Sequence, residues 1–285
     1  MIKIINRLIL FFIGVPAVFS IIFFFPHKNH LVYNIIVVVF SVLGAGEFKN
    51  ILTQKNLDIT LSESMILGAI IPLAWLSVIS FDFSIEIILF AFILGATWIL
   101  VSQVFIFKKN FESLVNRTAA GFSVMIYPGL FMGFLIRLSS FPNAKMFILF
   151  FLFLVFMNDS FAWVFGMLFG KNNRGIISVS PNKSIAGFTG GQIMSVAIGI
   201  TGVLLFPEVF VTKNLEPVIA GALLGFFTGL MAILGDLCES ALKRSSDIKD
   251  SGKLILGRGG ALDSIDSLLL AAPVFFYLCR IMFSL

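Results

Sequence analysis

Apolar residues run along this chain in long, nearly unbroken stretches separated by short polar segments. Nine stretches reach or approach the roughly 20 residues a helix needs to cross a bilayer core. They cover about 8–26, 31–46, 65–81, 85–107, 119–138, 146–170, 187–206, 217–236 and 267–284. The second is the shortest, which predicts an earlier start or a smaller tilt. The first resembles a secretory leader, because Lys3 and Arg7 precede its apolar run. It ends in Phe23-Phe24-Phe25-Pro26 with no small-residue cleavage site, so it reads as an uncleaved span. The pattern predicts an all-α, polytopic membrane helix bundle of about nine transmembrane helices. We read residues 1–285 as one integral membrane domain, with N-terminal spans in 1–145 and C-terminal spans and polar loops in 146–285.

Composition supports this reading and excludes others. Of the 285 residues 59% are hydrophobic and 12% charged, with 35 phenylalanines; the mean hydropathy is +1.05. A soluble domain carries about 25% charged residues, so this chain has too few to cover a water-facing surface. A soluble enzyme and a disordered chain are excluded, and nothing points to nucleic acid. Two cysteines, Cys238 and Cys279, and two histidines, His27 and His30, leave no disulfide framework, no His/Cys metal spacing and no Ser-His-Asp triad.

The net charge of +5 matters less than where the charges fall. With the N-terminus inside, 15 of the 20 Lys and Arg residues lie on one side. The remaining five are Lys28, Arg137, Lys145, Lys213 and Arg280. The positive-inside rule then predicts a cytoplasmic N-terminus, an outside C-terminus and nine crossings.

Two cytoplasmic connections hold the polar chemistry. One spans 171–186. The other spans 236–266 and carries six of the 15 acids: Asp236, Glu239, Asp247, Asp250, Asp263 and Asp266. In Gly235–Arg244, a helix places Asp236, Ser240 and Lys243 at i, i+4 and i+7 on one face, a stripe suited to a metal-bound phosphate. The same segment also reads as a solvated helix end with an i,i+4 Glu239–Lys243 pair. Next come Gly252, Gly257, Gly259 and Gly260, with Lys249, Lys253 and Arg258 among them. Such a loop can turn backbone N–H groups toward an anion, or it can be a plain connector. Asp263 and Asp266 open the ninth span three residues apart. Two carboxylates so close repel unless a cation joins them, and hard oxygen ligands suit Mg²⁺; helix N-terminal capping is the alternative. Asp159 lies inside the sixth span, where a carboxylate must face protein or water; an inter-helix hydrogen bond would also account for it. Ser178, Ser180, Lys183 and Ser184 add hydroxyls and an ammonium near the membrane.

The segment GDLCESALKRSSDIKDSGKLILGRGGALDSID (235–266) resembles the signature of bacterial phosphatidate cytidylyltransferases (CDP-diglyceride synthases). That signature reads roughly S-x-x-K-R-x-x-x-x-K-D-x-G, then P-G-H-G-G, then D-R-x-D. Ser240, Lys243, Arg244, Lys249, Asp250, Gly252, Gly257, Gly259, Gly260, Asp263 and Asp266 match it. Asn158-Asp159-Ser160 and Ser180-Pro181-x-Lys183-Ser184-x-x-Gly187 are similar to two further family stretches. The resemblance covers about the last 130 residues; the N-terminal half agrees only in hydropathy. It departs at Leu256, Arg258 and Ser264, where the family usually has Pro, His and Arg, at Asn182 for a Lys, and at Ile185-Ala186 for Trp-Glu. Arg258 can bind phosphate but cannot titrate near neutral pH as His can.

The resemblance implies CTP + phosphatidate → CDP-diacylglycerol + pyrophosphate at a bacterial inner membrane, with the active site toward the cytoplasm. It implies Mg²⁺, with room for a second cation. Asp236 and Asp263 would be the principal metal ligands, assisted by Asp250 and Asp266. Lys183, Lys243, Arg244 and Lys249 would hold phosphates, together with Ser180, Ser240, Arg258, Gly259, Gly260 and Asp159. The alternatives are another CTP-dependent lipid enzyme (a lipid or polyprenol kinase, or a cytidylyltransferase for a different lipid) and, more distantly, a transporter using Asp159. The oligomeric state stays open, a homodimer included.

Overall fold

The computed structural model describes residues 14–55, 57, 59–105, 112–255, 257 and 259–285. Regular structure among them is helical, with isolated bridges only. In chain order the helices are α1 (Val15–Phe24), α2 (His27–Thr53), α3 (Leu61–Phe81), α4 (Glu86–Val101) and α5 (Glu112–Val124). They continue with α6 (Phe131–Leu138), α7 (Ala144–Phe169), α8 (Ile185–Leu205), α9 (Pro217–Ser245) and α10 (Leu262–Met282). A 3₁₀ turn, Ser102–Phe105, extends α4, and a π turn, Met125–Leu130, joins α5 to α6.

Among the described residues eight segments are long and apolar enough to cross a membrane, and this is a polytopic integral membrane protein. They coincide with the second to ninth expected spans. The expected first span, 8–26, lies partly outside the described residues; its described part is the 10-residue α1. The helices overrun the hydropathy limits: α2 continues to Thr53 and α9 to Ser245, and α10 starts at Leu262. Hydropathy marks the part of a helix in hydrocarbon, whereas backbone hydrogen bonding carries it into the interface. At the start of α2, Lys28, Asn29 and His30 are left-handed, with φ of 49°, 53° and 59°. Asn29 Nδ2 donates to Ile79 O at 2.6 Å, and Asn34 Nδ2 returns to Asn29 O at 2.9 Å. The regular helix therefore begins where the apolar run does, near residue 31.

The chain forms two compact units. The first holds the described residues up to Ser140 together with Ser245–Ile265; the second holds Phe141–Arg244 and Asp266–Leu285. In the first unit, α2 and α3 approach closely at Gly68, where a Cβ would stand 2.4 Å from the Ala45 Cβ. Small residues allow such approach in a bilayer, where no hydrophobic drive holds helices together. Ser41 Oγ lies 2.8 Å from Gly68 O and 2.7 Å from Pro128 O, and so ties both helices to the π turn. Arg117 pairs with Glu63 at 2.6 Å, and Trp98 Nε1 donates to the same carboxylate at 3.2 Å.

In the second unit a glycine seam brings α8 and α9 together. A Cβ at Gly225 would lie 2.1 Å from Ser195 O, and one at Gly199 would lie 2.2 Å from Gly221 O. Beside the seam, buried Asn158 donates from Nδ2 to Ser195 Oγ at 2.7 Å. Gly235 lets α9 meet α10, since its Cβ would stand 2.5 Å from Asp266 O. Phenylalanines fill the remaining core: Phe141 stacks on Phe276 at 4.9 Å, and Phe147 meets Phe210 edge-on at 5.0 Å.

Candidate active site

The polar residues singled out in the sequence fall into both units. In the first unit they form a tight turn ahead of α10. Ile255 and Gly259 exchange backbone hydrogen bonds of 2.8 and 3.0 Å. Gly257 and Gly259 have φ of 83° and 114°, conformations that side chains disfavour. The chain then meets Asp263 at the first turn of α10. Its Oδ2 accepts from Gly260 N at 2.6 Å, Ser251 N at 2.9 Å and Ser251 Oγ at 3.0 Å. The two backbone N–H donors fix the direction of this carboxylate. A Cβ at Gly259 would fall 2.5 Å from that oxygen and 3.4 Å from the Asp250 Cβ, which places Asp250 beside the same turn. Asp250 and Lys249 are exposed. Arg258 and Leu256 lie outside the described residues.

Glu47, in α2, completes this turn and has no place in the sequence signature. Its Oε1 accepts from Ala261 N at 2.9 Å, and its Oε2 accepts from Leu262 N at 2.9 Å. Ser251 Oγ lies 2.8 Å from Oε2 as well. Backbone N–H groups of the glycine-rich loop do face an anion, as the loop composition predicts, but the anions are the protein's own carboxylates. The sequence does carry a signal for Glu47: an acid closing an apolar run, directly after Gly44-Ala45-Gly46.

In the second unit, Lys183 forms an ion pair with Asp236, and Ser240 Oγ lies 3.4 Å from Asp236 Oδ1. The loop before α8 sets the lysine. Ser180 O accepts from Lys183 N at 3.0 Å, and Gly175 N donates to Pro181 O at 3.0 Å. Ser184 is buried and caps α8, accepting from Gly187 N at 3.1 Å. The expected i,i+4 pair also forms: Lys243 meets Glu239, whose side chain is fully buried. Arg244, next along, is exposed. Asp159 is half-buried; Ser267 Oγ stands 3.3 Å from its Oδ2 and 3.4 Å from Asp266 Oδ1. The charges of Asp236, Glu239 and Asp159 all act on Asp266. Ser267 and Glu47 are the contacts that sequence motifs alone do not reveal.

This donor set suits a hard divalent cation. In the second unit Asp236 pairs with Lys183, and Asp159 and Asp266 flank Ser267. Among the described residues no cluster of three or more His, Cys, Asp or Glu is arranged to hold a metal alone. Mg²⁺ takes one or two carboxylates and completes its shell with water and substrate phosphate, so the carboxylates present fit it.

The chain is 41% identical over 134 residues to the uncharacterized protein YnbB of Escherichia coli strain K12, covering 47% of this chain and 42% of that protein. It is 33% identical over 182 residues to a phosphatidate cytidylyltransferase of Staphylococcus haemolyticus, covering 64% of this chain and 66% of that one. A phosphatidate cytidylyltransferase of Synechocystis is 37% identical over 121 residues, 42% of this chain and 38% of that one. These matches span less than two thirds of each relative's length. The family model described as "Cytidylyltransferase family" matches residues 5–282, so the likeness extends well beyond the C-terminal 130 residues that carry the motifs and takes in Glu47. This chain belongs to the cytidylyltransferase family.

Proposed function

We propose that this protein is a phosphatidate cytidylyltransferase, converting CTP and phosphatidate to CDP-diacylglycerol and pyrophosphate in phospholipid synthesis. The observation that carries this reading is the Lys183–Asp236 ion pair, in which two segments of the signature 53 residues apart meet. A lysine held on an aspartate is a ready phosphate ligand: the triphosphate of CTP would draw the ammonium from Asp236 and leave that carboxylate for a cation.

In the reaction a phosphatidate oxygen forms a bond to the α-phosphorus of CTP, and the bond from that phosphorus to the β-phosphate oxygen breaks, releasing pyrophosphate. The attacking oxygen is already anionic, so no side chain need remove a proton from it. Lys183, Lys243, Arg244 and Lys249 neutralise phosphate oxygens, and Ser180 and Ser240 offer hydroxyl donors. In the second unit Asp236 would be an Mg²⁺ ligand with Asp266 assisting, and in the first unit Asp263 would be one with Asp250 assisting. When bound, that ion would offset the charge developing on the phosphoryl oxygens.

Protein purified in detergent and given phosphatidate, Mg²⁺ and CTP labelled at the α-phosphate is expected to form labelled CDP-diacylglycerol and unlabelled pyrophosphate. CDP release would instead identify a CTP-dependent lipid or polyprenol kinase. No nucleotide turnover at all would overturn the reading.

We place this chemistry on the cytoplasmic side of a bacterial inner membrane, with the N-terminus inside, because the bases concentrate there. Cys238 is exposed and Cys279 buried. A membrane-impermeant maleimide is therefore expected to label Cys238 in inside-out vesicles and leave right-side-out cells unlabelled. Labelling of intact cells at Cys238 would reverse the orientation.

A further inference from the structure

We propose that Glu47 is a positioning residue for Asp263: it holds Ser251 and the backbone of Gly260–Leu262 in the arrangement that aims the Asp263 carboxylate. The inference rests on the cytidylyltransferase reading and on Asp263 as a cation ligand.

The first N–H groups of α10 have no partner within the helix, and an anion at a helix N-terminus satisfies them and meets the positive end of the dipole. Residues near the end of a helix usually supply that anion. Here it comes from a different helix: Glu47 of α2 takes the N–H groups of Ala261 and Leu262, both at 2.9 Å. The same carboxylate lies 2.8 Å from Ser251 Oγ, and that hydroxyl lies 3.0 Å from Asp263 Oδ2 and accepts from Asp263 N at 3.3 Å. Ser251 thus stands between two carboxylates and links them through one oxygen.

The glycines around Glu47 show how closely the turn is built on it. A Cβ at Gly252 would sit 2.2 Å from Glu47 Oε1, and one at Gly260 would sit 2.1 Å from Oε2. Gly260 in turn donates its N–H to Asp263 Oδ2 at 2.6 Å. The backbone that Glu47 clamps is therefore the backbone that orients Asp263. With Glu47 removed, Ala261 and Leu262 lose their acceptor, and Gly260 and Ser251 lose the support that keeps their donors on Asp263. A positioning role of this kind weakens the hold of Asp263 on a cation and leaves the rest of the fold in place.

The test uses full-length protein in detergent. Glu47→Gln keeps size and removes charge. It is expected to raise the Mg²⁺ concentration for half-maximal CDP-diacylglycerol formation about 10-fold, while KM for phosphatidate changes less than threefold. Mn²⁺ binding, followed by electron paramagnetic resonance without turnover, is expected to weaken by a similar factor. Hydrogen exchange at Ala261 and Leu262 is expected to speed up. Ser251→Ala removes only the linking hydroxyl, and it is expected to shift the Mg²⁺ and Mn²⁺ midpoints in the same direction with the bonds from Ala261 and Leu262 to Glu47 intact. If Glu47→Gln does not fold, Ser251→Ala decides. Unchanged midpoints in the folded variants would overturn the inference. Wild-type protein that makes no CDP-diacylglycerol would overturn the proposed function instead, whereas wild-type turnover with no divalent cation would overturn both the cation role of Asp263 and this inference.

Discussion

Asp263→Asn is expected to lower CDP-diacylglycerol formation by about 10²–10³-fold while the protein stays folded. Asn retains an oxygen that can accept from Gly260 N and Ser251 N, so the turn ahead of α10 keeps its bonds. What it loses is the negative charge. A bound cation contributes several kcal/mol of charge stabilisation, and at about 1.4 kcal/mol per decade that is a loss of this size. Asp263→Ala separates charge from structure. It strips the acceptor from the backbone N–H groups of Gly260 and Ser251, while the Ser251 hydroxyl keeps Glu47; an unsatisfied donor costs about 1–3 kcal/mol where water cannot replace it. The alanine variant should therefore lose thermal stability as well as rate, while the asparagine variant melts within a few degrees of wild type. Initial rates and unfolding in detergent check both points. An asparagine variant with wild-type rate would remove Asp263 from the chemistry.

Lys183 and Asp236 are expected to behave as one unit. Asp236→Ala should cost about 10²–10³-fold in rate for the same reason as Asp263. Lys183→Ala should cost about 10²-fold, because it removes a phosphate ligand and leaves Asp236 without its ion-pair partner. Residues in direct contact couple by about 0.5–3 kcal/mol. The double variant should accordingly be faster than the product of the single losses predicts, by roughly tenfold. A double-mutant cycle on kcat/KM measures this. Strictly multiplicative losses would mean that the pair has no shared role in turnover.

Much of the molecule is legible from hydropathy. The eight described spans fall where apolar runs predict them, because a bilayer penalises every polar group that is not paired within a helix. Helix ends were less legible. The backbone of α9 continues nine residues past the apolar limit near 236, to Ser245, since Glu239 and Lys243 pair along the helix instead of ending it. The site was legible as a set of residue types. Asp236, Lys183 and Asp263 all carry close partners in the structure, and the motif spacing singled them out. Of the loop glycines, Gly260 donates its N–H to a carboxylate and Gly259 donates to a backbone carbonyl. The part of Glu47 was not legible, because it lies about two hundred residues upstream and no local spacing connects it to Ser251 or Leu262.

The sequence alone determined the membrane fold class, the place of the eight described spans, and the acids and bases to which we assign the chemistry. These follow from local physics: hydrophobic length, helical periodicity and residue type. Only the tertiary structure decided which of those groups meet. It joined Ser245–Ile265 to the N-terminal unit, set Lys183 on Asp236, put Ser267 between Asp159 and Asp266, and brought Glu47 to the N-terminus of α10. Such pairings depend on close helix approach at glycines and on the direction in which a turn aims its donors. Both are set by packing across the chain, and neither is written in the pattern of any one segment.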